Sequence, residues 1–273
     1  MNFQEGVILC FDKPYRWTSF DAVNKIRGTL CRRLGVRKLK VGHAGTLDPL
    51  ATGVIVVCTG RATKRIEELQ AHTKEYVATL CLGATTPSFD LEHPIDATYP
   101  VAHITRQRLE EVLTHFVGSI QQVPPSYSAC KIQGDHAYAL MRRGEEVTLK
   151  PKTLVIDEIE LLNYAPHLSS SPSEPFEPFE PSLAPPLWGG VGERPIPSFD
   201  SISVTLRVVC SKGTYIRALA RDIGEALGSG AHLTALRRTR VGDIRVEDCM
   251  QVEAFPQWLD ARLAAGEVVD SRP

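Results

Sequence analysis

The stretch SISVTLRVVCSKGTYIRALARDIGEALG, residues 201–228, changes its hydrophobic period once, and this change indicates the class of fold. Its first ten residues alternate, with four aliphatic side chains from Ile202 to Val208 on one side, which predicts a half-buried strand. After SKGT the apolar residues recur at steps of three and four, which predicts a helix that ends at Gly228. The strand therefore leads directly into an amphipathic helix.

Other segments carry the same two periods in an irregular order. Three further strands are predicted by the apolar runs GVILCFDKP, GVIVVC and EYVATLCLG, which begin at Gly6, Gly53 and Glu75. Thr18, with Asp21 three residues later, predicts the N-cap of a helix, and Thr105 predicts another. Because no strand–helix–strand unit repeats, we predict an α+β fold with a mixed, largely antiparallel sheet flanked by helices and loops.

One segment fits neither period. Residues 165–198 contain nine prolines in 34 positions, and proline removes backbone donors and blocks helix formation. The segment lies between two strand-like runs, so we expect a disordered or polyproline-like insert in a connection between neighbouring strands. A long connection adds little closure entropy, which makes such an insert tolerable.

The composition narrows the class of protein. The chain has 273 residues, 43% of them hydrophobic, which is enough apolar material for a sizeable core. No run approaches the roughly 18 apolar residues of a membrane span, and the N-terminus lacks the features of a signal peptide, so we expect a cytoplasmic protein. Seven scattered cysteines without a CxxC pair are interpreted as buried, reduced thiols.

A net charge of −1 conceals two local groups of cations. The segment from Lys13 to Lys40 contains one acid, Asp21, and nine basic residues: 13, 16, 25, 27, 32, 33, 37, 38 and 40. A second group lies in the last third of the chain: Lys212, Arg217, Arg221, Arg237, Arg238, Arg240 and Arg245. Such surfaces can bind polyanions even on a neutral protein, although charge alone leaves an ordinary solvated face equally open.

The segment GHAGTLDPLATG, residues 42–53, is the first candidate for chemistry. Its glycines at 42, 45 and 53 do not match GxGxxG, and no GxxxxGK[ST] is present, so a phosphate loop is excluded. Asp48-Pro49 favours an ordinary turn. The alternative is a carboxylate held on a loop as a nucleophile or base, which needs surroundings that orient and desolvate it.

Two other stretches carry candidate residues. Tyr76 begins a predicted strand, where its ring could stack on a base or simply pack in the core. SKGTYIRALARDIG places Lys212, Tyr215 and Arg217 near the start of a helix, where the backbone already favours anions. For Arg217 a surface salt bridge is the simpler interpretation.

Together these segments resemble one known family. GHAGTLDPLATG is similar to the signature of the bacterial tRNA pseudouridine(55) synthases. Other similar segments follow in the expected order, covering most of residues 6–250 outside the insert: GVILCFDKP, TGRATK, KEYVATLCLG, VPPSYSACKIQGDHAYALMRRGEEV and CSKGTYIRALARDIGEALGSGAHLTALRRTRVG. The resemblance implies a pseudouridine synthase-type catalytic domain that isomerises uridine-55 in the T loop of tRNA after flipping the base out, without cofactor or metal.

The resemblance also assigns roles to individual residues. It implies that Asp48 is the catalytic aspartate and that Tyr76 stacks on the target base, with a possible part in taking the C5 proton. Arg217 pairs with the aspartate, and Tyr215 and Lys212 line the uridine pocket. Further substrate contacts are implied for His43, which helps to hold the T loop open, and for Lys13, Lys64 and Asp90, which contact or order the RNA.

Two departures from the family pattern affect the domain organisation: the proline-rich insert and the short chain after Cys249. Many bacterial members continue into an RNA-binding barrel of the PUA type, whereas only about two dozen residues follow Cys249 here. We expect a catalytic domain over 1–250, a short extension over 251–273 with one closing helix, and no PUA domain. We also expect a monomer. Activity on another RNA, or a non-catalytic RNA-binding or RNA-folding role, stays open as an alternative.

Overall fold

The computed structural model describes residues 1–128, 130–132, 135–145, 147–167 and 199–268. The strands are β1 Ile8–Lys13, β2 Val41–His43, β3 Ala51–Thr59, β4 Lys74–Leu82, β5 Ala84–Thr85, β6 Ala97–Thr98, β7 Gly118–Gln122, β8 Lys131–Ile132, β9 Asp135–His136, β10 Lys152–His167, β11 Ser201–Cys210, β12 Ala231–Val241, β13 Ile244–Arg245 and β14 Met250–Gln251. The helices are α1 Ser19–Leu34, α2 Ile66–Ala71, α3 Arg106–Thr114, α4 Ala137–Arg142, α5 Ile216–Ala226 and α6 Phe255–Ala264.

One large sheet organises the chain. Its strand order is β14-β1-β3-β12-β4-β11-β10-β7, with β2 paired to β3 and β13 paired to β12. The pairs β1–β14 and β3–β12 are parallel, and the other pairs in this sheet are antiparallel. The predicted α+β fold with a mixed, largely antiparallel sheet is confirmed.

Helix α1 shows how local sequence sets an element. The Thr18 side chain accepts the Asp21 amide at 3.0 Å, and the Asp21 carboxylate accepts the Thr18 amide at 2.9 Å. This reciprocal capping box begins the helix where the sequence predicts it. The predicted apolar face of α1 is buried, which explains why the helix stays on the sheet: Val23, Ile26, Leu30 and Leu34.

Two main apolar clusters fix the helices on the sheet. In the first, α3 and α5 pack on β4, β11 and β12, and Leu219 and Ile223 are buried against this sheet. In the second, α1 and α6 pack on β1 and β3, with the Phe11 and Phe255 rings in edge contact at 5.4 Å. Helix α6 is the closing helix predicted for the C-terminal extension, and it shares the core of α1.

The proline-rich segment begins later than the sequence predicts. Strand β10 continues through Pro166 to His167 and pairs with β11, so Pro166 lies opposite Ile202. Pairing of β10 with β7 ends at Ile156. Within the described residues the second edge of β10 is therefore unpaired at Pro166. A proline is tolerated there because its missing N–H removes no hydrogen bond to a neighbouring strand. The connection between neighbouring strands is confirmed, while the prediction of disorder concerns residues 168–198, which lie outside the described part of the chain.

The structure also answers two predictions from composition. All seven cysteines are free thiols, and Cys58, Cys81 and Cys210 are buried, as predicted. Within the described residues, no helix is long and apolar enough to cross a membrane.

Candidate active site

An ion pair between Asp48 and Arg217 lies where the loop between β2 and β3 meets the first turn of α5. Arg217 donates from Nε to Asp48 Oδ2 at 2.9 Å and from Nη2 to Asp48 Oδ1 at 3.0 Å. The Arg217 side chain is only 5% exposed, whereas that of Asp48 is 35% exposed. The pair therefore presents a carboxylate to solvent and keeps the guanidinium beneath it, which is incompatible with the surface salt bridge considered for Arg217.

Arg217 is fixed by three further groups. Its Nη1 donates to the Ser88 carbonyl at 3.1 Å and its Nη2 to the Tyr127 carbonyl at 3.0 Å. The buried carboxylate of Asp90 lies 3.7 Å from Nε and is itself held by the Ser88 hydroxyl at 2.6 Å. Because the guanidinium is planar and all these acceptors are fixed, the orientation of the Asp48 carboxylate is fixed as well.

Tyr215 and a glutamine from another strand set the start of α5. Tyr215 is the N-cap residue, and its amide donates to Gln122 Oε1 at 2.9 Å while its carbonyl accepts from Gln122 Nε2 at 3.2 Å. Burial raises the pKa of the Tyr215 phenol above its usual value, and a hydrogen bond with Ser128 opposes the shift. Two residues further on, the helix delivers Arg217 to Asp48.

The loop that carries Asp48 is tied to the beginning of α1. The Ser19 hydroxyl donates to the Leu47 carbonyl at 3.0 Å and accepts the Leu47 amide at 2.8 Å. The Arg16 amide donates to the Pro49 carbonyl at 2.8 Å. The residues on both sides of Asp48 are therefore anchored, and so Asp48-Pro49 is more than an ordinary surface turn.

Lys13 lies beneath this loop and not on the surface. It is completely buried, and its Nζ donates to the carbonyls of Pro14 at 2.9 Å, Trp17 at 2.5 Å and Pro49 at 3.4 Å. Burial lowers the pKa of Lys13 to about 8, against the opposing charge of Asp48. A direct contact of Lys13 with RNA is contradicted by this burial, because its amine is already occupied by backbone carbonyls.

Arg238 holds the other side of the loop and was not singled out from the sequence. It is 1% exposed, and it donates to the carbonyls of Val54 at 2.8 Å, Gly45 at 3.2 Å and Thr46 at 3.4 Å. Gly53 permits the close approach of the Arg238 backbone, since the φ of Gly53 is +102° and an added Cβ would lie 2.1 Å from the Arg238 carbonyl oxygen. Nothing in the local sequence distinguishes Arg238 from its basic neighbours Arg237 and Arg240.

Tyr76 lies in β4, opposite Val208 of β11 and Arg238 of β12. Its side chain belongs to the first apolar cluster, and the residue is 8% exposed. Burial raises the pKa of Tyr76, with the nearby Arg238 charge acting against it. A neutral phenol that contributes its ring to the site is the species this environment favours.

The remaining predicted residues lie outside the central ion pair. His43 ends β2 and is half-buried, and burial together with the Arg238 charge lowers its pKa, so that the neutral imidazole is favoured. Lys212 is exposed in the turn before α5. Lys64 is exposed in a 3₁₀ turn after β3, about 25 Å along that strand from its start near Asp48.

The two basic groups differ in exposure, which the sequence interpretation did not predict. In the first group all but Lys13 retain exposed or half-exposed positions. In the second, three arginines are buried in ion pairs or on carbonyls, so they cannot form a polyanion-binding surface: Arg217, Arg237 and Arg238. The sequence pattern therefore predicted a basic surface where the fold uses cations internally.

A small open pocket lies over the ion pair. It is lined by Asp48 and Arg217, by the aliphatic side chains of Leu50, Leu91 and Leu233, and by Asp90. One half-exposed carboxylate with a fixed orientation and an apolar wall suits attack on, or proton removal from, a bound substrate. Within the described residues no group of three or more His, Cys, Asp or Glu side chains is arranged to hold a metal ion.

Comparison with known families shows which family the chain belongs to. The model of the TruB family pseudouridylate synthase N-terminal domain matches residues 32–172, which include Asp48, Tyr76 and Asp90. The model of the tRNA pseudouridylate synthase B C-terminal domain matches residues 217–267. The chain belongs to the TruB family of pseudouridylate synthases.

Curated TruB proteins resemble the chain over nearly all of its length. The tRNA pseudouridine synthase B of Phocaeicola vulgatus is 62% identical over 95% of this chain and 96% of its own. The protein of the same name from Flavobacterium johnsoniae is 42% identical over 94% of this chain and 98% of its own. The chain is therefore a TruB-type tRNA pseudouridine synthase, an isomerase.

Two solved complexes contain a chain of the same fold. A crystal structure of a Cbf5-Nop10-Gar1 complex has a chain 26% identical to this one, with a TM-score of 0.61. An H/ACA RNP bound to a substrate RNA containing 2'-deoxyuridine has a chain 25% identical, with a TM-score of 0.59. Each match covers 97% of this chain but only 57% and 56% of the solved chains.

Proposed function

We propose that this TruB-type synthase converts uridine-55 in the T loop of tRNA to pseudouridine, with Asp48 as the catalytic group. The observation that carries the proposal is the half-exposed Asp48 carboxylate, held in one orientation by a buried Arg217. RNA binding alone gives no reason to direct a carboxylate toward a polyanion. A carboxylate is useful there only if positive character develops next to it.

The reaction supplies such a charge. Breaking the bond between N1 of uracil and C1′ of ribose builds positive character at C1′. Asp48 either attacks C1′, forming an ester bond that breaks again when C5 takes its place, or removes a proton from the sugar and later returns it, and the detached uracil rotates. A new bond joins C5 to C1′, C5 loses its proton and N1 gains one, so the product is an isomer of the substrate. No outside reactant is required by this balance.

The neighbouring residues support the remaining steps. Tyr76 is proposed to stack its ring on the base. The family resemblance also makes it the candidate to take the C5 proton, a role to which the neutral phenol favoured by its burial is poorly suited. Tyr215 lies half-buried beside the Ser128 hydroxyl. The Asp90 carboxylate lies 3.7 Å from the same Arg217 Nε that donates to Asp48, and so supports the position of the guanidinium. Lys212, Lys64 and His43 are proposed to contact the RNA. Lys13 is proposed to order the loop from below.

The target base must leave its stack before it reaches Asp48, which costs a few kcal/mol. RNA loops are recognised by shape, stacking and exposed base edges, while cations bind the stem phosphates. The exposed cations of the first basic group suit that second role. We propose that residues 1–250 and their 251–273 extension act as one monomeric cytoplasmic unit, supported by the packing of α6 on the core of α1.

Modification mapping tests the proposal. The protein is incubated with full-length tRNA and with an isolated T-arm hairpin, and every uridine is scored for conversion to pseudouridine. We expect conversion only at the T-loop position in both RNAs. Conversion elsewhere would assign a different RNA site, and activity restricted to full-length tRNA would show that the T arm alone is not sufficient.

A further inference from the structure

An exposed aromatic and basic segment borders the active site and has no role in the reaction described above. This segment, Tyr15–Phe20, is called the rim segment below. Phe20 is 58% exposed, the highest value among the large apolar side chains of the described residues. Arg16 is exposed, and its guanidinium lies 5.7 Å from the centre of the Tyr15 ring.

The rim segment is bound to the residues on either side of Asp48. Its Arg16 amide donates to the Pro49 carbonyl at 2.8 Å, and its Ser19 hydroxyl exchanges two hydrogen bonds with Leu47. A group bound to the segment would therefore be held at a fixed distance from the catalytic carboxylate. This backbone linkage distinguishes the rim segment from the other exposed cations of the N-terminal third.

Arg16 occupies a backbone conformation that ordinary residues avoid. Its φ is +66°, in the left-handed region, where a side chain bearing Cβ is disfavoured and glycine is not. An arginine at this position strains the chain locally without filling any core volume. Strained residues that persist next to an active site point to a functional requirement for the side chain.

The charges of the segment are available to a ligand. Arg16 and Arg27 form no ion pair within the described residues, and the Arg27 guanidinium lies 5.8 Å from the centre of the Phe20 ring. The one nearby acid, Asp21, accepts hydrogen bonds from the amide and hydroxyl of Thr18. Two rings, one exposed and one half-buried, each with a guanidinium beside it, suit the binding of an unpaired base by stacking and of its phosphate by charge: Arg27 lies by Phe20 and Arg16 by Tyr15.

We propose that the rim segment, with Arg27, binds an unpaired nucleotide of the substrate RNA next to the target uridine. Phe20 stacks on its base, and Arg16 pairs with its phosphate. This inference rests on the proposed function, since it requires a single-stranded loop at the site. It adds a second nucleotide site that fixes the position of the RNA strand relative to Asp48.

Arg16→Gly gives the sharpest test, because a structural role and a binding role predict opposite results. Glycine accepts the left-handed backbone, so the midpoint of thermal unfolding should stay the same or rise. The loss of one phosphate contact should raise the Kd for a T-arm hairpin severalfold and reduce the slope of log Kd against log salt by about 1. Arg108→Gln, which removes an exposed cation of α3, is the matched control and should change neither quantity.

Phe20 supplies an independent test. Phe20→Leu keeps an apolar side chain but removes the ring, so Kd and KM should rise by at least about 5-fold while kcat changes less. Phe20→Tyr keeps the ring and should bind the hairpin more tightly than Phe20→Leu. Leu162→Ala, which shortens another exposed apolar side chain on β10, should leave Kd unchanged.

The outcomes separate this inference from the proposed function. Native Kd and salt slope in both Arg16→Gly and Phe20→Leu would overturn the rim site, even if the native protein modifies the T loop. If the native protein leaves T-loop uridines unmodified, the proposed function fails. Binding that still depends on Arg16 and Phe20 would then retain the rim site for another RNA.

Discussion

Two arginine–aspartate pairs, one within the large sheet and one between a loop and helix α5, have the same chemistry and different surroundings. Arg217 and Asp48 form a bidentate pair in which the aspartate side chain is 35% exposed. Arg237 and Asp12 form another, with contacts of 3.1 and 2.7 Å, in which the side chains are 6% and 7% exposed. The second pair lies at Thr52, four residues after Asp48.

The difference lies in how completely each carboxylate is used. Asp12 also accepts the Gly53 amide at 3.1 Å and Gln251 Nε2 at 3.2 Å, so both of its oxygens are enclosed. Within the described residues the Asp48 carboxylate accepts only from Arg217, which leaves its outer lone pairs free. An enclosed pair joins strands, whereas a half-open pair can act on a substrate. Burial of the aspartate therefore distinguishes the ion pair that joins strands from the ion pair that can act on a substrate.

Asp48→Asn should produce the largest functional effect of any change to the two pairs. An amide can neither attack C1′ nor remove a proton, so conversion of a T-arm hairpin should fall by about 10³-fold or more. The free energy of unfolding should change by about 1 kcal/mol or less, because Asp48 is partly exposed and Asp90 still faces Arg217. Single-turnover assays measure the conversion rate, and denaturant unfolding measures the change in stability. A native rate in this variant would exclude Asp48 as the catalyst.

Arg237→Ala should have the opposite effects, a large loss of stability and a nearly native kcat. It leaves the Asp12 carboxylate buried without its cation, which costs about 3–5 kcal/mol in the free energy of unfolding. The kcat of the folded fraction should stay near that of the native protein. Denaturant unfolding measures the loss, and Arg237→Gln combined with Asp12→Asn should recover part of it. A full loss of kcat with native stability would remove the distinction between the pairs.

Arg217→Lys tests the fork geometry without removing the charge. A lysine cannot hold both Asp48 oxygens and the Ser88 and Tyr127 carbonyls, so we expect kcat to fall by about 10- to 100-fold with little change in RNA binding. Arg237→Lys is the matched substitution in the enclosed pair, and its kcat should remain near native. Equal effects of the two substitutions on kcat would contradict the assignment.

Lys13 connects the two pairs and gives the smallest expected effect. The charges of Asp48 and Asp12 both raise its pKa, but burial prevails and lowers it to about 8. Between pH 8 and its unfolded value near 10.5, the unfolded chain holds the proton that the folded chain has released, so this residue's contribution to stability rises with pH.

The native protein should therefore gain stability relative to Lys13→Met as pH rises through that window. The gain has an upper limit of about 1.4 kcal/mol per pH unit. Denaturant unfolding of both proteins at pH 7, 8, 9 and 10 measures it. A pH-independent difference would mean that the pKa of Lys13 is not lowered in the folded state.

The elements of the fold were predictable wherever local patterns are decisive. The alternation in β11 and the cap at Thr18 depend on residues close together in the chain, and both predictions are confirmed. The end of β10 was placed too early because Pro166 looked like the start of a break. Only the sheet shows that, within the described residues, no strand pairs with that edge of β10 at Pro166.

The site residues were harder to sort from the sequence. Asp48 and Arg217 are separated by 169 positions, and nothing local indicates that they meet. Arg237 and Arg238 are adjacent cations that look like one basic surface, yet Arg237 is paired with Asp12 and Arg238 binds carbonyls of the loop that carries Asp48. The family resemblance implied that Lys13 contacts or orders the RNA. Its burial could not be predicted, because burial of a lysine amine is rare and leaves no local pattern.

The sequence by itself determined the α+β class, the first strands and helices, the caps and the family resemblance, because these depend on short-range periodicity and on motifs in a fixed order. Tertiary structure alone decided which cations face solvent and which carboxylate stays half open. Both depend on packing between strands distant in sequence: β12 must lie beside β3 before Arg238 can support the Asp48 loop and Arg237 can enclose Asp12.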